Sequence, residues 1–486
     1  MRRPFALVIL CAVALLLAGC QAPSVSPDQT ESHNADLTPS EPATDYGNND
    51  SAPPAPATDQ LGYEDGYWYN ESLSVTTEDG LNETEREAVV ARTMARVERI
   101  RGLEFEETVP VSVVSRSEYR NNTDGGETGD SLRRFDNVKF EALFFIGEDR
   151  DSIAVQNSNR GESVLGYYSS QRGEIVIVSD SETPTISRGT LAHELVHALQ
   201  DQQFGLESDA RTRDQVQGRN GVVEGDAVAV TQTYTDRCGA AWRCIDRPAQ
   251  SGGGGGDRHF GINFMKYFPY SDGPGLIGNL RDRGGWSTVN DAYDDHPDGA
   301  TEVTYPERYP EWEPESVSLA DRSSDDWERV RPSTDRDRPD YAVVGPSAIA
   351  GSMAYTIADD YNESSVVQTG DVINYEDGSL DSDDPYNYDL PATDGWQGGR
   401  MHVYASGDET AYVWKTTWAS EADAREFADA WAAVIAHWGG TRTAEGHWVI
   451  EEGSPYTDAV SVRVSGDTVT VVNAPTTDEL REVHDA

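Results

Sequence analysis

Two histidines flanking a glutamate, in the string His193-Glu194-Leu195-Val196-His197, have the types and spacing of a site that binds a metal and handles water. On an α-helix, residues i and i+4 stack on one face, so the two imidazoles converge while Glu194 projects beside them. Zinc in a catalytic site takes three protein ligands and leaves a fourth position to water, whose pKa falls to about 7. Glu194 would then accept that water's proton. The plain alternative is a surface helix with two incidental histidines.

A third ligand has to come from elsewhere in the chain. Residues 222–230 read as a second helix, and Glu224 lies far enough downstream for the chain to turn and return with a carboxylate. Asp201 and Asp226 are candidates to receive the second ring N–H of a metal-bound histidine, which fixes the tautomer; either also reads as an ordinary exposed acid. A donor to a developing oxyanion is needed as well. The candidates are His259, His402 and Tyr404, although residues of these types more often just fill a hydrogen-bonded place in the core.

These residues need elements to hold them. Thr183 and Pro184 offer a cap and first position for the motif helix, Ile186, Leu191, Leu195 and Leu199 an apolar stripe, and Gly205 a stop after Phe204. Ahead of it, a helix is expected over 84–101 with Asn82 or Thr84 capping, and strands at 109–114, 142–146 and 174–178. Behind it come helices at 347–358 and 421–437, strands at 401–404 and 411–418, and a hairpin of 460–464 with 468–472. The glycine run 252–256 and the charged stretch 313–340 read as surface loops. The acids Asp377, Asp381, Asp383, Asp384 and Asp389 form either a solvated loop or a calcium-binding one. Runs of helix and strand in this order predict an α+β fold. No phosphate-binding loop or nucleophile elbow appears.

The stretch from Leu191 to Gln202, followed by Val223-Glu-Gly-Asp-Ala227, resembles the gluzincins, zinc peptidases with an HExxH helix and a downstream glutamate ligand. It is especially similar to a branch of bacterial and archaeal neutral zinc metallopeptidases. That resemblance implies a zincin-like fold with a mixed sheet, His193, His197 and Glu224 as zinc ligands, and Glu194 as general base. It also implies that Gly166-Tyr-Tyr168 and Gly173-Glu-Ile-Val-Ile-Val178 lie at a sheet edge where a peptide substrate adds as a strand. Phe268-Pro-Tyr-Ser-Asp-Gly273, Gly284-Gly-Trp286, Ala300-Thr-Glu302 and Asp394-Gly-Trp-Gln-Gly-Gly-Arg400 are similar to further blocks of the branch, so the likeness runs from about residue 84 to about 440. It departs at Gly399, where an aspartate is usual, and at Ala300, where a serine is.

The amino terminus bears on location. Arg2 and Arg3 precede an apolar run over 5–17 and then Leu17-Ala-Gly-Cys20, which resembles a lipoprotein signal and implies cleavage before Cys20 and lipid on its sulfur. The paired arginines are compatible with twin-arginine export; an uncleaved membrane anchor is the alternative. With Cys11 in the signal and Cys20 lipidated, Cys238 and Cys244 remain, and an exported chain is expected to pair them.

Composition sets the surroundings. Against 86 acidic residues stand 38 basic ones, a formal charge of -48, and Lys139, Lys266 and Lys415 are the only lysines. Such self-repulsion destabilises a compact state in dilute buffer, whereas at molar salt the screening length is about 3 Å. The surface resembles that of exported proteins of halophilic archaea, and nucleic acid is excluded as a partner by the sign of the field. The expected organisation is a signal at 1–19, a disordered acidic tether at 20–58, a zinc metallopeptidase core at 59–340 and a C-terminal α+β portion at 341–486 packed on it. These readings converge on a lipid-anchored extracellular zinc peptidase acting on peptides or proteins; the rival is a non-proteolytic binding or envelope-assembly protein on the same scaffold.

Overall fold

A computed structural model describes residues 54–77, 79–123, 128–181, 183–245, 258–332, 339–362, 364–376 and 378–484. The expected signal, Cys20, the tether as far as residue 53, the glycine run 252–256 and Asp377 lie outside the described residues. The architecture is α+β.

Helix α1 (Glu83–Arg101) starts where Asn82 and Glu85 form a reciprocal capping box and ends at Gly102 in the left-handed region. Its stripe of Val89, Val90, Met94, Val97 and Ile100 is buried against the motif helix. A three-stranded mixed sheet follows. Strand β1 (Val111–Val114) runs parallel to β3 (Glu174–Val178), and β2 (Gly166–Ser169) pairs antiparallel with β3, so that β2 is an edge.

Residues 142–146, expected as a strand, are a buried turn closing helix α2 (Asp130–Glu141). The N–H groups of Phe145 and Ile146 both reach back to the Phe140 carbonyl, at 3.0 and 3.3 Å. A short, uniformly apolar run carries no period of two. Here burial of all five side chains decides the conformation, and the carbonyls left at the helix end supply the hydrogen bonds.

The motif helix α3 (Arg188–Phe204) is capped by Ser187, whose hydroxyl accepts from the Thr190 N–H, and not by Thr183. Thr183 is tied instead to the preceding segments: its hydroxyl donates to the Asp79 carbonyl and its N–H to the Ser181 hydroxyl. Ile186 therefore enters the core ahead of the helix. At the other end Gly205, with φ 75°, stops α3 as expected.

Helix α4 (Arg213–Arg237) is much longer than its apolar run suggested and begins in a Thr212–Gln215 capping box. It packs on α3 and on α5 (Phe260–Ser271) and α6 (Gly273–Gly284). Close approach is paid for by glycine: a Cβ on Gly225 would lie 2.5 Å from the Gly273 backbone, so only glycine lets α6 start against α4 beside Glu224. Helix α7 (Trp286–Asp294) follows. Within the expected surface stretch 313–340 a short strand, β4 (Glu328–Arg329), forms.

The rest of the chain builds helix α8 (Gly345–Ala358) and a seven-stranded antiparallel sheet. Its strands are β4, β5 (Trp396–Ser406), β6 (Glu409–Trp418), β7 (Gly440–Arg442), β8 (Trp448–Ile450), β9 (Ala459–Ser465) and β10 (Thr468–Ala474), in the order β7-β8-β9-β10-β6-β5-β4. Helix α9 (Glu421–His437) covers the face where Trp414 and Trp431 pack. One hydrophobic cluster joins Phe144, Phe264 and Met265 to Tyr386, Trp414 and Trp431, so both halves share a core. Cys238 and Cys244 are disulfide-bonded, with Cα atoms 5.5 Å apart. No helix among the described residues is long and apolar enough to cross a membrane.

Candidate metal centre

One turn of α3 separates His193 from His197, and their Nε2 atoms come within 3.2 Å of each other. From α4, Glu224 Oε2 lies 3.3 Å from His193 Nε2 and 3.2 Å from His197 Nε2. The ligand atoms of the three residues all fall within 4.8 Å of one another, the only such group among the described residues. Although Glu224 Oε2 is close to both rings, it is buried without an aligned hydrogen bond. Two imidazole nitrogens facing each other and an orphaned carboxylate oxygen are what a dication would satisfy, and an N, N, O donor set is one that zinc accepts.

The electrostatics agree. Burial penalises the charge on Glu224, yet the neighbouring histidines hold it well below the usual carboxylate range. His197 is likewise penalised by burial, and the Glu224 carboxylate overrides this and pushes it up to about 9. The trio thus attracts positive charge to one point.

Glu194 lies on the side of α3 that faces the sheet. Its Oε2 accepts the Tyr168 N–H of edge strand β2 at 2.8 Å. Burial raises its pKa, partly offset by His193, His197 and that N–H. The Tyr168 hydroxyl donates to Asp201 Oδ2 at 2.8 Å, so a single residue pins the edge strand to α3 at two points on one helix face.

The acids expected to support the histidines do not do so. Asp201 accepts from Tyr168 and from the Leu206 N–H, and is drawn to the sheet side. Asp226 is fully buried and taken by Arg101 of α1, whose Nε is 3.0 Å from both carboxylate oxygens, and by the Tyr293 hydroxyl at 2.8 Å. The partner of His197 Nδ1 is Gln200 Oε1, at 2.9 Å. The pair Arg101 and Asp226 has another role: it anchors α4 two residues beyond Glu224.

None of the three expected oxyanion donors reaches the trio. His259 caps α5, its Nδ1 accepting the Ile262 N–H and its Nε2 bonded to the Phe145 carbonyl, and burial lowers its pKa to about 4. His402 and Tyr404 are buried on β5 in the C-terminal sheet, where Tyr404 accepts the Arg322 N–H. Tyr270, near the end of α5, comes instead. Its ring stacks on His193 at 6.0 Å, and its hydroxyl is within hydrogen-bonding reach of Glu224. Burial and the charges of Glu224 and Glu194 raise its pKa far above 10, which keeps the phenol protonated as a donor. It sits in the Phe268 to Gly273 block, on a helix that buries most of its residues, and membership of that block was the signal available in the sequence.

The Ala300-Thr301-Glu302 block serves α4. Asp214, in the first turn of α4, accepts the Ala300 N–H at 3.1 Å, while Glu302 accepts that of Asp298 at 2.6 Å. Of the acidic loop, Asp384 accepts from Ser271 and Asp389 from Tyr305.

Residues 328–484 match the family model of a domain of unknown function, DUF8575. No curated protein and no solved structure matches the chain. The matched stretch begins at β4 and takes in the seven-stranded sheet, whereas the trio lies wholly upstream of it.

Proposed function

We propose that this chain is a zinc-dependent metallopeptidase, zincin-like in the part that carries α3 and α4, and held at the outer face of a membrane by lipid on Cys20. The observation that carries the reading is the convergence of His193, His197 and Glu224 beside an intact Glu194. Zinc held by these three groups would supply a Lewis acid and bring a water molecule's pKa toward neutrality. With Oε2 tied to the Tyr168 N–H, Glu194 keeps Oε1 to accept that water's proton and return it to the departing amine. Its raised proton affinity suits both transfers. The Tyr270 phenol would donate to the substrate carbonyl oxygen as negative charge grows there. Strand β2 pairs on one side only; beyond the Tyr168 N–H, which Glu194 takes, the backbone groups of its open side are where an extended peptide would add.

The test is metal content and peptide cleavage in molar salt for the wild type and Glu194→Gln. One zinc per chain in both, with cleavage reduced by roughly 10³-fold in the variant, is expected. Equal cleavage would reject Glu194 as base, and zinc without cleavage in the wild type would favour a binding protein.

A further inference from the structure

We propose that Gln200 is the positioning residue of this centre: one neutral amide sets the tautomer of His197 and ties that ring to the backbone beside Glu224. The proposal rests on the zinc reading above. Gln200 is 1 % exposed and lies one turn after His197 on α3, on the same face. Its Nε2 donates to the Val223 carbonyl of α4 at 2.9 Å. A carbonyl can only accept, so the amino end of the amide must face Val223 and the oxygen end must face His197. That oxygen, 2.9 Å from Nδ1, can also only accept. The proton of a neutral His197 ring is therefore on Nδ1, and Nε2 presents its lone pair toward Glu224 and His193. Flipping the amide would set oxygen against oxygen at Val223.

Two of the three ligands then depend on one side chain. His197 is oriented directly, and Glu224 follows the residue whose carbonyl Gln200 holds. An aspartate or glutamate in this place could accept from Nδ1 but has no donor for Val223. Charge gives a second reason for an amide. Ionised Glu194 and Glu224 together balance a dication, and a third carboxylate against His197 would leave the centre net negative and weaken its pull on electrons.

The experiment uses the full chain in molar salt and zinc itself, with affinity measured by chelator competition and the ring N–H of His197 observed by ¹⁵N NMR in the zinc-loaded protein. Gln200→Leu is expected to weaken zinc binding roughly 10- to 100-fold. Gln200→Glu keeps an acceptor for Nδ1 but opposes the Val223 carbonyl, and is expected to fall between the leucine variant and the wild type. The wild-type spectrum should show a slowly exchanging Nδ1–H on His197. Leucine binding zinc as tightly as glutamine, or a wild-type ring protonated at Nε2, would overturn the proposal. Zinc held by Gln200→Glu as tightly as by the wild type would overturn the tie to Val223. A wild type that takes up no zinc defeats the metallopeptidase reading itself, which separates that failure from failure at Gln200.

Discussion

Replacing Arg101 by methionine should cost the fold about 3–5 kcal/mol, because it strands the Asp226 carboxylate in the core. The pair is 1 % and 0 % exposed, and Arg101 also donates to Asn290 at 2.6 Å and lies over the Trp286 ring at 4.4 Å. Among the described residues, the remaining side-chain partner of Asp226 is the Tyr293 hydroxyl. Salt screens exposed charges over a few ångströms but reaches buried ones poorly. The loss should therefore persist in molar salt. The exposed pair of Arg425 and Glu421, 63 % and 58 % accessible, is the control: Glu421→Gln should change stability by less than about 0.5 kcal/mol. Denaturant unfolding at fixed high salt, followed by tryptophan fluorescence, measures both. The double replacement Arg101→Met with Asp226→Leu should recover much of the loss, since it is the unpaired charge that is costly. A loss below about 1 kcal/mol in Arg101→Met alone would refute the claim that this ion pair anchors α4 to α1.

Tyr270→Phe should retain zinc and lower kcat by roughly 10²-fold, as expected when one donor to an oxyanion is removed; unchanged kcat would assign that role elsewhere. Asp214 is buried, and burial pushes its pKa up to about 7 despite the Ala300 N–H, so the folded state holds its proton more tightly than the unfolded one. Stability from this group is complete at low pH and declines from about pH 4 to about pH 7. Asp214→Asn should lack that decline, a difference growing to at most about 4 kcal/mol since each tenfold change in proton affinity is worth about 1.4 kcal/mol. Parallel stability profiles between pH 4 and 8 would contradict it.

What could be read from the sequence was local. The i, i+4 histidines, the Asn82 cap, the Gly205 stop, the helix Glu421–His437 and the pairing of Cys238 with Cys244 depend on backbone periodicity or on few residues close in sequence, and the structure has each of them. Glu224 was legible because a helix so near the motif helix had a short return path. The hydrogen-bond partners were not legible. Asp201 and Gln200 both stand within one turn of His197, and only the neighbouring β2 and α4 decide that Tyr168 takes the acid and His197 the amide. Tyr270 reaches His193 because α5 packs on α4, and Asp226 is claimed by an arginine from α1. The buried turn at 142–146 and the start of α3 at Ser187 have the same origin, in contacts with segments distant in the chain. Sequence determined which side chains can meet along one helix, since that follows from 1.5 Å of rise per residue. Tertiary packing decided which polar groups from different elements pair, since a buried donor or acceptor takes the partner that packing brings within about 3 Å.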